Sequence, residues 1–110
     1  MDHETREHGE HLIIAFSGDI DLQSSSQART VLLDAVSRGQ PLLVDLSGVE
    51  YIDSSGVASL VESFQKARKS GLDYVLVSVS DGARRVLELA RLDKVFTIVS
   101  TIDEATAGGS

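Results

Sequence analysis

The sequence predicts an α/β protein built around a largely parallel sheet. Apolar segments of strand length alternate along the chain with segments whose apolar residues recur at helical spacing. Strands that are apolar on both faces are typical of a parallel sheet covered by helices. The chain has 110 residues, near the usual size of one domain, and shows no linker, repeat or low-complexity tract. We therefore expect a single domain over residues 1–110, with residues 108–110 as a flexible tail.

The first half of the chain is predicted to contain two buried strands with a helix between them. In chain order these elements are residues 11–17, the segment from Ala28 to Val36, and Leu42–Leu46. One of the serines 24–26 is expected to cap the helix. The polar residues 1–10 precede these elements, and we expect them to form either a frayed start or a short edge strand that turns at Gly9.

The second half is predicted to contain three helices and two strands. In chain order they are a helix from Asp53 to Gly71, a strand over Tyr74–Val79, a helix from Ser80 to Arg91, a strand over Val95–Val99, and a short helix that starts at Thr101. On the first of these helices Glu62 is expected to pair with Lys66, one turn away. On the second, Leu89 is expected to face the core.

Composition excludes several classes of function. The formal net charge of −7 argues against direct nucleic-acid binding, which needs clustered Lys and Arg. The absence of cysteine excludes disulfides, thiolate metal sites and a cysteine nucleophile. No apolar segment is long enough to cross a membrane, and residues 1–10 are too polar for a signal peptide. We expect a cytoplasmic protein that does not insert into membranes.

The most informative motif is Asp53-Ser54-Ser55-Gly56, which stands between the strand Leu42–Leu46 and the helix that follows. It places two hydroxyls beside a carboxylate at a helix N-terminus, where backbone N–H groups are unpaired and the helix dipole favours negative charge. One interpretation is a simple helix cap. The other is a modification site, because an added phosphate is tolerated there and changes the surface sharply.

No pattern supports an enzyme, a metal site or a cofactor. A serine nucleophile needs a base, and the only histidines lie in the polar N-terminal segment, at positions 3, 8 and 11. In an extended segment His8 and His11 are expected on opposite faces, which disfavours chelation. Asp19 and Asp21 are expected to accept hydrogen bonds from a local turn. A small enzyme with Asp21 or Asp53 as its base stays open as a rival, although no cofactor motif supports it.

Several landmarks together resemble a known family. They are Gly18–Asp21, the strand Leu42–Leu46, the segment Val49–Val57, and Arg91–Phe96, in this order and spacing. With them, the chain from about His11 to about Glu104 resembles the STAS domain family, and within it the bacterial anti-sigma factor antagonists. The resemblance implies a single α/β domain with a mixed, mostly parallel sheet of four to five strands and helices mainly on one face.

The resemblance also implies a regulatory role without catalysis. In the family, the unphosphorylated antagonist binds an anti-sigma factor that is also a serine kinase of the histidine-kinase-like ATPase fold, and so frees the sigma factor. Phosphorylation breaks that complex, and a PP2C-type phosphatase reverses the modification. By position, Ser54 is the expected phosphoacceptor with Ser55 as the fallback. The expected partner-binding residues of what we take to be a monomer are Asp21, Asp53, Ser54, Ser55 and Gly56.

Two alternatives keep the fold and change the role. A STAS subunit docked on the ATPase of an ABC-type membrane transporter needs no phosphorylation, and there the motif serine is dispensable. The presence of both Ser54 and Ser55 favours the phosphorylation switch over this reading. A scaffold subunit of a larger signalling assembly is the other alternative.

Overall fold

The computed structural model describes residues 1–107, which form five strands and four helices. In chain order they are β1 (Asp2–His8), β2 (His11–Ser17), α1 (Ser25–Ser37), β3 (Leu42–Gly48), α2 (Ser54–Lys69), β4 (Tyr74–Val77), α3 (Asp81–Leu89), β5 (Thr97–Val99) and α4 (Ile102–Ala107). The predicted tail, residues 108–110, lies outside the described residues. Within residues 1–107, no helix is both long and apolar enough to span a membrane.

The strands form one mixed sheet in the order β1-β2-β3-β4-β5. The pairs from β2 to β5 are parallel, and only β1 runs antiparallel to its neighbour β2. The mixed, mostly parallel sheet implied by the family resemblance is therefore confirmed. The edge strand β1 pairs with β2 along its whole length, from Asp2 opposite Ser17 to His8 opposite His11, so the segment is an edge strand and not a frayed start. Directly opposed residues of a hairpin share a face, so the expectation that His8 and His11 point apart is wrong.

The core lies mainly on one face of the sheet. Alternate residues of the central strands, such as Leu12 and Val44, are completely buried there beneath α1, α2 and α3. A smaller cluster on the other face consists of Ile13, Leu43 and Val77, and α4 packs against it. Burying an apolar side chain of this size contributes about 1.5–3 kcal/mol. Helices mainly on one face are thus confirmed, with α4 alone on the other.

Helices α1 and α2 pack closely through small side chains. The hydroxyl of Ser59 is buried and donates to the carbonyl oxygen of Ser25 at 3.1 Å. At the surface of the same pair, Arg29 binds Glu62 through two nitrogens, at 2.8 and 2.7 Å. The planar guanidinium of the neighbouring helix is thus the direct partner of Glu62, while the charge of Lys66 also helps to lower the pKa of Glu62, as the expected favourable pairing implies.

The last third of the chain differs from prediction at several boundaries. Strand β4 ends at Val77 because Ser78 adopts a left-handed backbone with φ 53°. Helix α3 ends at Leu89. This residue was expected to face the core, but it is 80% exposed. The strand expected from Val95 begins only at Thr97, because the N–H groups of Val95 and Phe96 both donate to the Leu92 carbonyl in a turn. The predicted cap of α4 is confirmed by the N–H of Glu104, which donates to the Thr101 hydroxyl at 3.0 Å.

Replacing Leu60 by alanine tests this description of the core. Leu60 is 1% exposed on the inner face of α2, so Leu60→Ala leaves a cavity and is expected to lower the free energy of unfolding by about 2–5 kcal/mol. The exposed Gln65 of the same helix is the matched control, and Gln65→Ala is expected to change it by less than about 0.5 kcal/mol. Chemical denaturation measures both, and equal midpoints for the two variants would contradict the assigned helix face.

Candidate functional site

The candidate site forms where the segments that follow β2 and β3 meet. These parallel strands end at the same edge of the sheet, and an isolated parallel bridge joins Ile20 to Ile52 just beyond them. The N–H of Ile20 donates to the Tyr51 carbonyl at 2.9 Å, and the N–H of Asp53 donates to the Ile20 carbonyl at 3.0 Å. Asp21 and Asp53 each follow a residue of this bridge. The bridge therefore brings the two sequence-predicted carboxylates into one surface region.

Asp53 caps helix α2. Its backbone is extended, with φ −94° and ψ −178°, and its Oδ1 atom accepts the N–H of Gly56 at 3.0 Å. The Ser55 hydroxyl donates to the same oxygen at 2.6 Å. These two hydrogen bonds, that of Ser55 first, hold the pKa of Asp53 below its usual value, because they stabilise the charged form. The carboxylate is therefore firmly ionised at neutral pH.

The two serines of the motif occupy different environments. Ser55 is half-buried, and its hydroxyl is committed to Asp53. Ser54 is the first residue of α2 and is exposed, and its hydroxyl makes no hydrogen bond within residues 1–107. Phosphoryl transfer needs a hydroxyl that a kinase can reach. Of the pair, Ser54 offers the accessible group.

Gly56 allows helix α2 to begin directly against the bridge. A Cβ atom at this position would lie 2.7 Å from Ile52 Cγ1 and 2.8 Å from Ile20 Cγ2, which is closer than real contacts allow. Gly56 is itself buried and has no side chain to offer a partner. It contributes to the site by letting α2 approach Ile20 and Ile52.

Asp21 holds the loop between the bridge and α1. Its Oδ1 atom accepts the N–H groups of Gln23 at 3.0 Å and Ser24 at 3.1 Å, as aspartates commonly do in turns. Ser24 stands at the N-cap position of α1, as expected for one of the three serines, but its side chain makes no capping hydrogen bond. The Ser24 hydroxyl instead lies 3.2 Å from Asp21 Oδ1. Local hydrogen bonds therefore order this loop.

Helix α3 contacts the loop that precedes the candidate site. Sequence patterns did not indicate this contact. The Ser80 hydroxyl caps α3 by accepting the N–H of Ala83 at 3.2 Å, and it also donates to the carbonyl oxygen of Val49. Two residues further on, a Cβ atom at Gly82 would overlap the carbonyl oxygen of Glu50. The sequence indicates the cap at Ser80, but its contact with Val49 spans 31 positions and depends on the tertiary structure.

The described residues do not assemble a metal-binding cluster. Within residues 1–107, no group of three or more His, Asp and Glu side chains is arranged to hold a metal ion. The three histidines lie on the hairpin of β1 and β2, and within the described chain none of them bonds to Ser54 or Ser55. What the site can do chemically is present an exposed hydroxyl beside an ionised carboxylate at a helix N-terminus.

Comparison with known proteins places the chain among regulatory relatives. Residues 2–105 match the model of the STAS domain family. An anti-sigma-B factor antagonist of Listeria monocytogenes is 30% identical over 90 residues, covering 81% of this chain and 79% of the relative. The anti-sigma-F factor antagonist RsfB of Mycobacterium tuberculosis is 28% identical over 103 residues, covering 93% and 84%. The crystal structure of an anti-sigma factor antagonist from Mycobacterium paratuberculosis superposes with a TM-score of 0.88 at 27% identity, covering 97% and 92%.

A titration experiment tests whether the hydrogen bond from Ser55 lowers the pKa of Asp53. Because this bond is the largest cause of the lowered pKa, Ser55→Ala is expected to raise the pKa of Asp53 towards its usual value. Ser54→Ala, the adjacent control, removes a hydroxyl that does not bond to Asp53 and is expected to leave the pKa unchanged. Carboxyl-carbon NMR shifts recorded against pH measure both.

The sign of the accompanying pH effect follows from the lowered pKa. The stabilisation that Asp53 contributes is present above the pKa of an unfolded aspartate and is lost as the pH falls through the folded-state value. Identical titration curves for wild type and Ser55→Ala would show that this hydroxyl does not hold the carboxylate.

Gly82→Ala tests the support that α3 gives to the site. The added methyl group meets the Glu50 carbonyl, so either the loop or the helix must move, and we expect a loss of about 1–3 kcal/mol in stability. Amide NMR shifts are expected to change over residues 49–53. Arg85→Ala, on the exposed side of the same helix, is the control and is expected to leave those shifts in place. Unchanged loop shifts in Gly82→Ala would mean that α3 does not position this segment.

Proposed function

The chain belongs to the STAS domain family, and we propose that it is an anti-sigma factor antagonist switched off by phosphorylation of Ser54. The unphosphorylated protein binds an anti-sigma factor that is also a serine kinase of the histidine-kinase-like ATPase fold, and the sigma factor is released. The observation that carries the proposal is that the Ser54 hydroxyl is exposed at the start of α2 and makes no hydrogen bond to the described residues 1–107. The names of its relatives supply the class of partner.

The proposed switch works through local charge. A neutral serine hydroxyl is easily accommodated in an interface, whereas a phosphate adds about −1.5 to −2 charges and three acceptor oxygens. The phosphate on Ser54 stands next to Asp53, which its hydrogen bonds keep ionised. Asp21 and the exposed Glu50 lie in the two adjoining segments. Burying the phosphate against a partner would leave these like charges desolvated together, which weakens the complex.

In the free protein, the same phosphate is better tolerated. It lies at a helix N-terminus, where the dipole favours an anion and water remains available. The N–H of Gly56 is already engaged by Asp53, so the phosphate must share or compete for the first-turn donors. Modification therefore penalises the complex more than the isolated domain. A difference of about 1.4 kcal/mol changes affinity tenfold, so no refolding of the domain is required.

The remaining parts of the cycle follow from the same proposal. A PP2C-type phosphatase removes the phosphate from Ser54 and restores binding. The protein acts in the cytoplasm as a monomer, and its role is regulatory rather than catalytic. Asp21, Asp53 and Ser54 form the partner-facing surface, while Ser55 orients Asp53 and Gly56 allows α2 to pack against the bridge.

A pair of substitutions at Ser54 tests the switch. Ser54→Ala is expected to bind the kinase constitutively, and Ser54→Asp is expected to bind at least tenfold more weakly. Gln65→Glu adds a negative charge about three turns further along α2 and serves as the control for charge alone. Bound proteins captured from the native cell are identified by mass spectrometry, and binding of the captured kinase is then measured with purified components.

The outcomes separate the candidate functions. Retention of a kinase of the stated fold by wild type and Ser54→Ala, with its loss by Ser54→Asp, is the expected result. Phosphate mapped to Ser55 after incubation with that kinase and ATP would contradict the assigned site. A transporter ATPase held equally by all variants would instead support the accessory-subunit role, with Ser54 serving only at the helix start.

A further inference from the structure

Two large apolar side chains are exposed close to Ser54. Among residues 1–107, four large hydrophobic residues are at least half exposed, namely Leu22, Tyr51, Leu89 and Val95. Leu22 is 77% exposed and Tyr51 is 50% exposed, and these two belong to the segments that meet at the candidate site. Exposed apolar groups that cluster beside a functional residue, instead of being scattered singly, indicate an interaction surface.

Backbone hydrogen bonds place Leu22 and Tyr51 around the serine. The carbonyl of Tyr51 accepts the N–H of Ile20 at 2.9 Å, so Tyr51 adjoins the bridge. Leu22 follows the bridge residue Ile20 by two positions. The N–H of Asp53 donates to the Ile20 carbonyl at 3.0 Å, so the start of α2 adjoins the segment that continues to Leu22. Ile52 is buried, and Tyr51 before it is turned outward. Leu22 and Tyr51 therefore both lie beside the start of α2.

The backbone that carries these side chains is held from several directions. Asp21 Oδ1 accepts the N–H groups of Gln23 and Ser24, the two residues that follow Leu22, so these bonds close the turn that contains Leu22. Ser80 donates to Val49, close before Tyr51. An interface whose anchors are already positioned loses less conformational entropy on binding. Both exposed side chains are thus presented on ordered backbone.

The charges around the two side chains define the partner surface. Segments 18–24 and 49–56 contain four acidic residues and neither Lys nor Arg; the acidic residues are Asp19, Asp21, Glu50 and Asp53. A complementary surface therefore carries an apolar recess with basic side chains at its border. Acidic residues around apolar anchors match the usual division of an interface into an apolar centre and a polar rim.

We propose that Leu22 and Tyr51 are the two apolar anchors by which the anti-sigma factor kinase holds this protein, in an apolar recess bordered by Lys or Arg. The inference rests on the proposed function and adds to it the residues that supply affinity. It separates two roles at one surface. Leu22 and Tyr51 supply affinity for the kinase, and the phosphorylation of Ser54 determines whether the complex forms. Loss of an anchor weakens binding even when Ser54 is unmodified.

Alanine substitutions with matched controls test the anchors. Leu22→Ala and Tyr51→Ala are each expected to raise the Kd for the purified kinase at least tenfold, as central apolar contacts do. Leu89→Ala and Val95→Ala remove exposed apolar groups elsewhere and are expected to change the Kd less than twofold. Titration calorimetry measures binding, and thermal unfolding verifies that all four variants are folded. Wild-type binding is also expected to weaken between 50 and 300 mM salt, on the order of several-fold, because the rim is acidic.

Phosphorylation kinetics provide a second readout that a general folding defect would not reproduce. For the anchor variants the KM for phosphorylation of Ser54 is expected to rise while kcat stays near that of wild type, because the binding surface is altered and the hydroxyl is not. Unchanged Kd and KM in both variants, with loss of binding in Ser54→Asp, would overturn the anchors and leave the proposed function intact.

Other results would assign the surface differently. If wild type binds no such kinase, the proposed function fails and the kinase is not the occupant. Sedimentation that shows self-association of wild type, lost in Leu22→Ala, would assign the surface to a second copy of this chain and would also overturn the proposal. A larger effect of Leu89→Ala than of Leu22→Ala would move the docking surface to the end of α3.

Discussion

The parallel pairing of β2 with β3, extended by the bridge between Ile20 and Ile52, is the constraint on which the rest of the site depends. Parallel strands end at the same edge of a sheet, so the two loops that follow them meet. The bridge then fixes Asp21 and Asp53 in one region although they are far apart in the chain. Without a Cβ at Gly56, α2 can begin directly against this bridge. Strand pairing thus determines which polar groups share a surface.

Electrostatics at the start of α2 explain how a small modification could have a large effect. Asp53 uses its carboxylate to cap the helix, and the hydrogen bond from Ser55 keeps that carboxylate charged. A phosphate on Ser54 would therefore meet an anion that cannot easily be neutralised. In water the helix N-terminus and solvent offset the repulsion, whereas inside an interface they do so less. Under the proposed switch, the domain need not change shape for its affinity to change.

The structure divides the work at this surface between supporting and exposed residues. Ser80 and Gly82 of the α3 N-terminus hold the loop that carries Glu50 and Tyr51. The supporting groups are directed at the backbone, and the side chains of Glu50 and Tyr51 remain exposed. Such a division makes positioning and exposure separable by mutation, because a change on α3 alters where the loop lies while a change at Tyr51 alters the exposed surface itself.

The sequence by itself determined the order of helices and strands, the Ser80 and Thr101 caps, and the helix start at Asp53, because backbone periodicity and capping act over a few residues. Only the tertiary structure decided the partners of side chains. It distinguished the exposed Ser54 from the bonded Ser55, joined Glu62 to Arg29, and left Leu89 outside the core. Adjacent residues of the same type look alike in sequence, and their environments are set by elements distant in the chain.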